Sequence, residues 1–130
     1  MKTLLKVENL HIAFTGYGIT QQVLHDVNFT VGEGEQVSLI GETGSGKSVT
    51  SKAILGTLPN NASIDGGKIS FEGLDLFNLP ATDRERLKGT AFSIIMQDPL
   101  SSFNPVFRIG THLEDVMYYA DRRQGIVDSA

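Results

Sequence analysis

The sequence predicts an α/β fold entered through antiparallel strands, and three observations carry that prediction. Residues 4–8 and 23–30 alternate apolar and polar positions and are separated by the turn signal Gly16-Tyr17-Gly18. A glycine-rich loop, residues 41–48, follows an apolar strand-like run, residues 36–40, and precedes helically spaced Val49, Ala53, Ile54 and Leu58. Strand and helix signals then alternate to residue 117, the order expected of an α/β protein rather than of separate β and α domains.

The elements follow in order. Gly32-Glu33-Gly34-Glu35 is a polar turn, and Gln36, Val37, Ser38, Leu39 and Ile40 after it end apolar enough for a buried strand. The helix of residues 48–58 meets its stop at Pro59, Asn60 and Asn61. Residues 68–72 alternate as a strand, residues 83–88 form a short charged helix with Asp83 as its cap, and residues 92–96 form a second buried strand. Residues 97–105 hold too much Pro, Ser and Asn for regular structure and form a loop. Ile109, Leu113, Val116 and Met117 then mark one face of a final helix.

Bulk composition narrows the chemistry. The chain has 130 residues, 11 basic against 15 acidic, for a net charge of -4. No overall positive field draws in nucleic-acid phosphates, so nucleic acid is not expected as a partner. The lack of cysteine removes disulfides, thiolate metal sites and thiol nucleophiles together. His11, His25 and His112 have no metal-like spacing and read as surface or packing residues. No apolar run reaches the length of a membrane span.

Gly41-Glu42-Thr43-Gly44-Ser45-Gly46-Lys47-Ser48 matches G-x-x-x-x-G-K-[ST] at every fixed position. Gly41, Gly44 and Gly46 let the backbone turn and approach closely, so that successive amides, including those of Glu42, Thr43 and Ser45, form a concave nest for a phosphate. The helix that starts near Ser48 and Val49 adds its positive end. Lys47 can set an ammonium between β- and γ-phosphates, and the Ser48 hydroxyl is left for Mg²⁺. The fixed positions recur by chance in about 4 of 1,000 chains of this length at average residue frequencies, and the strand before and helix after reduce that further. A nucleoside triphosphate site is therefore expected. No Asn-Lys-x-Asp for guanine recognition occurs, so ATP is favoured.

The loop alone does not choose among P-loop enzymes. The opening Leu5-x-Val7-x-Asn9-Leu10, the strand pair leading to Gly41, and Met96-Gln97-Asp98-Pro99 about fifty residues past the loop lysine together resemble the ATP-binding subunit of ABC transporters. The continuation Leu100-Ser101-Ser102-Phe103-Asn104-Pro105, with Ile109-Gly110 beyond it, resembles the oligopeptide, dipeptide and nickel importer branch, although Met96 and Phe103 replace the more usual Phe and Leu.

That resemblance implies a P-loop NTPase core with an N-terminal antiparallel β subdomain. Residues 1–35 would start the β subdomain, 36–96 would hold the P-loop core, and 97–130 would hold a glutamine loop and the start of a helical subdomain in which the chain ends. It implies that Gln97 helps hold Mg²⁺ and the attacking water while its loop senses the membrane subunits, a task that suits a neutral side-chain carbonyl. It places Phe14 where an aromatic ring stacks on adenine, with core packing or a role for Tyr17 as the alternatives. Asp98, although it ends an apolar run, reads as a residue capping its own loop rather than as a magnesium ligand.

The implied partners are ATP, transmembrane permease subunits and a second ATP-binding subunit, with a cytoplasmic location on the inner face of the membrane. The Leu-Ser-Gly-Gly-Gln signature and the strand ending Asp-Glu do not occur in these residues. The 130 residues are thus expected to bind ATP without hydrolysing it. A non-catalytic nucleotide sensor or decoy subunit is the second reading, and a kinase-like P-loop enzyme the third.

Overall fold

The chain begins with a long β-hairpin, β1 (Thr3–Gly16) and β2 (Ile19–Gly32), closed by the two residues Tyr17 and Gly18. Both take positive φ, 52° and 75°, which matches the turn to the right-handed twist of the strands and explains why the sequence breaks here. The strands run well past the expected 4–8 and 23–30. Thr15, Thr20, Gln21 and Gln22 still pair, because a ladder propagates through backbone groups whatever the side chains.

β3 (Ala62–Phe71) joins the other edge of β1, antiparallel, and the short β4 (Leu74–Asp75) follows it, giving the order β2-β1-β3-β4. The strand expected at 68–72 is the end of this longer β3. β1, paired on both sides, supplies Val7, Leu10, Ile12 and Ala13 to the core, which Leu24, Ala53, Ile69 and Leu76 join. The computed structural model describes residues 1–42, 44–98 and 100–127, in two compact units, Met1–Arg84 and a second beginning at Glu85.

Mid-strand irregularities interrupt the ladders. Register shifts fall between Val7 and Leu10 against β2 and between Glu8 and His11 against β3. Asn9 takes positive φ there and Asp26 at the next shift, between Leu10 and Ile12 against β2, a conformation their side chains tolerate better than most, and the Asn9 amide donates to Asn28 Oδ1 at 2.8 Å. Gly67 completes the irregularity. At φ 84° it lies so close to the carbonyl oxygens of Glu8 and Asn9 that a Cβ would collide with both.

Helix α1 (Lys47–Leu55) follows the glycine loop but ends three residues before the expected Leu58. Gly56 in the left-handed conformation stops it, with its own amide bonded to Ala53 O and that of Thr57 to Lys52 O. Pro59 lies beyond a helix already finished. Helix α2 (Ala81–Leu87) starts earlier than expected, so Asp83 is not its cap but sits within the first turn, where a carboxylate favours the positive helix end.

The two expected core strands are not formed. Residues 36–40 and 92–96 carry no ladder beyond a single bridge from Phe92 to Lys88, and apart from half-buried Phe92 their large apolar side chains are exposed, Ile40 and Ile95 to 95% and 94%. A strand exists only where a neighbour pairs with it, and the described residues offer none to either segment. Helix α3 (Ile109–Val127) forms as the spacing of Ile109, Leu113, Val116 and Met117 predicts, with all four exposed.

Two outcomes follow for stability. Gly67→Ala should lower the unfolding free energy by about 3 kcal/mol or more, since it adds a backbone collision to an unfavourable φ. Gly73→Ala, at φ 83° with open space around it, should cost only about 1 kcal/mol; urea denaturation of both variants separates collision from conformation. The second outcome concerns acid. Glu8 is flanked by Lys6 at 2.7 Å and Lys68 at 3.6 Å, and the hydrogen bond from Lys6 in particular holds its carboxyl below the usual value. A group lowered in the folded state contributes stability above its unfolded value, about 4.3, and loses it as pH falls through the folded one. Glu8→Gln should therefore lower thermal stability slightly in the neutral region and converge on the wild type as pH falls below that value, so that the acid limb is flatter.

Candidate functional site

The glycine loop leaves the end of residues 36–40 and turns through a bond from the Ser45 amide to Glu42 O at 3.0 Å. Gly44 and Gly46 take φ 83° and 95°, a left-handed region that side-chain-bearing residues disfavour. Gly41 has a different need. A Cβ there would strike the Ser45 side chain.

Gly46 is the N-cap of α1, and no side chain caps the helix, nor does any acidic residue sit in its first turn. The amides of Lys47, Ser48 and Val49 therefore have no intrahelical acceptor, and together with the aligned peptide dipoles they present an uncompensated positive end. The loop hydroxyls divide by role. Thr50, 3% exposed, returns its Oγ1 to Gly46 O at 2.9 Å, alongside its own amide on the same oxygen, while Ser48 is exposed at the helix start.

The Lys47 ammonium reaches back over the loop and donates to the carbonyl oxygens of Gly41 and, at 3.1 Å, Glu42. A cation thus stands beside a ring of backbone donors, the arrangement that suits a multiply charged phosphate chain. The residues fit Mg-ATP on these grounds: a cradle that Cβ atoms would fill, a lysine beside it and a free-facing serine hydroxyl.

Of the expected site residues, the structure gathers Gly41, Glu42, Gly44, Ser45, Gly46, Lys47, Ser48 and Val49 into this one corner; Thr43 lies outside the described residues. Phe14 is half-buried on β1 between Gln21 and Ala62, two positions from Ile12. Tyr17 is fully exposed at the hairpin tip. Gln97 belongs to the second unit, exposed, and is followed by Asp98, whose carboxylate accepts the Ser101 amide at 3.4 Å and whose carbonyl accepts the Ser101 hydroxyl at 3.0 Å. Asp98 thus organises its own loop, as expected.

One residue escaped the sequence reading. Leu24 of β2, 2% exposed and paired with Ile12, presses its side chain into the space where a Cβ of Gly46 would stand. An apolar residue in a strand reads only as core; its use as the floor of the loop depends on the hairpin folding beneath α1.

A family model described as ABC transporter matches residues 24–128, a span that includes the loop, α1 and Gln97. The chain belongs to the ABC transporter family. Its fold class is accordingly that of a P-loop NTPase, here with an antiparallel β-sheet whose strands β1 and β2 precede the loop and β3 and β4 follow it. Within the family it is 39% identical over 118 residues to a dipeptide transport ATP-binding protein of Bacillus subtilis, covering 90% of this chain and 35% of that one. It is 41% identical to an oligopeptide transport ATP-binding protein of Haemophilus influenzae, with 90% and 36% covered, and 39% identical to one of Salmonella typhimurium, with 88% and 34% covered. The chain therefore spans about a third of the length of the curated relatives it matches. No helix among the described residues is long and apolar enough to cross a membrane.

If Leu24 supports the loop, Leu24→Ala should lower stability by about 2 to 5 kcal/mol and speed hydrogen exchange at the Thr50 amide more than at the β1 amides of Lys6 and Val7. Equal acceleration throughout would mean that Leu24 serves the core alone.

Proposed function

We propose that this chain is the nucleotide-binding front of an ABC importer motor for peptides or a related small solute, with ATP and Mg²⁺ as its ligands. The observation that carries the reading is the uncapped, acid-free start of α1 beneath a loop with Lys47 poised over it. Support for the peptide class comes from the printed names of the relatives, which are dipeptide and oligopeptide transport proteins.

On this reading Lys47, now on the carbonyls of Gly41 and Glu42, would hold the β- and γ-phosphate oxygens, and the amides of residues 44–49 would donate to the phosphates. Ser48 and Gln97 offer oxygens to Mg²⁺, which when bound supplies charge neutralisation across the two terminal phosphates. Phe14 stacks on the adenine. Permease subunits and a second ATP-binding subunit complete the motor, on the cytoplasmic side of the membrane. The 130 residues alone bind without turning over, because no group in them is assigned as the general base.

Calorimetric titration with Mg-ATP, with phosphate release assayed in the same samples, tests this. Replacing a charged hydrogen bond worth about 1.5 to 3 kcal/mol, Lys47→Ala should weaken binding roughly 10- to 150-fold, and neither sample should release phosphate. Equal affinity of the two proteins would overturn the role of Lys47. Steady phosphate release that depends on Lys47 would overturn the claim of binding without turnover.

A further inference from the structure

Beyond the phosphate corner, the second unit contains an organised loop whose far end is held by a histidine. His112 lies in the first turn of α3, and its Nε2 is 3.2 Å from the carbonyl oxygen of Asn104, eight residues back. Its ring meets Phe103 at a centroid distance of 5.3 Å and an angle of 67°, and Phe107 at 6.2 Å and 89°, both edge-to-face. A carbonyl only accepts, so this contact requires the proton on Nε2. No other natural side chain combines an aromatic ring of this size with a donor at that reach: Phe would keep the packing and lose the bond, and Gln would do the reverse.

Further hydrogen bonds order the segment on both sides of Phe103. The Asn104 carbonyl also accepts the Phe107 amide at 3.2 Å, and Asn104 Oδ1 accepts that of Val106 at 3.0 Å. On the near side Asp98 ties down Ser101 and the hydroxyl of Ser102, which ends the 3₁₀ turn Leu100–Ser102 immediately before Phe103. Phe103 and Phe107 remain 43% and 57% exposed, so their burial is partial and non-directional, and the hydrogen bond is what fixes a single geometry.

We infer that His112 is a positioning residue: it fixes the far limb of the loop that starts at Gln97 to the first turn of α3, so that a displacement of that helix moves the loop with it. The functional weight of this clasp rests on the reading of Gln97 above; the clasp itself does not.

Nitrogen-15 NMR of the 130-residue chain tests the two separately. In the wild type at a pH where His112 is neutral, the imidazole should show the proton on Nε2; a proton on Nδ1 alone overturns the inference and needs no variant. His112→Phe, which keeps the ring contacts, should speed hydrogen exchange at the amides of Ser101, Val106 and Phe107 roughly 2- to 12-fold, the factor that one net hydrogen bond supports. His112→Gln should restore part of that protection, and the amides of β1 should stay as in the wild type. Unchanged exchange at all three loop amides in His112→Phe also overturns it. Gln97→Ala in the Mg-ATP titration reports on the glutamine reading alone, whatever the clasp does.

Discussion

The site depends on the backbone of Gly46. At φ 95° that residue turns the chain so that α1 starts with its amides uncovered, and it can hold this angle only because it has no Cβ to meet Leu24. Leu24 in turn is fixed by its pairing with Ile12, on a strand that has a neighbour along both edges. The antiparallel sheet, which carries none of the loop's amides, therefore decides where they stand. This gives the N-terminal third of the chain a mechanical purpose that the loop motif does not reveal.

The same dependence explains what could be read from the sequence. The loop, its helix, the Tyr17-Gly18 turn and the amphipathic face of α3 were legible because each is written in local terms: glycine where φ must be positive, or apolar spacing at 3.6 residues. Asp98 was legible for a similar reason, since short carboxylates bond readily to amides two or three residues on. Leu24 was not, because an apolar residue in a strand declares only that it seeks burial. The bulge at Asn9, Asp26 and Gly67 was equally hidden, being a property of three strands at once.

Residues 36–40 and 92–96 show the limit from the other side. Their apolar content states a need for burial on both faces, and the sequence reading took that as a strand. A strand is a relation between segments, however, and pattern within one segment cannot supply its neighbour. The end of α1 makes a smaller version of the same point: Pro59 is the stronger breaker by composition, but Gly56 comes first and its left-handed cap satisfies the last carbonyls.

The back-folded Lys47 has a consequence for kinetics and selectivity. Its ammonium already has oxygen partners in its own loop, so an incoming anion does not meet an idle cation. It must outcompete two neutral carbonyls for the same protons. A singly charged anion offers little more than those carbonyls do, whereas a triphosphate offers several formal charges within the reach of one side chain. On the proposed reading of the loop as a nucleotide site, these resting contacts would act as a threshold that a ligand carrying concentrated charge crosses more readily than a small monovalent anion.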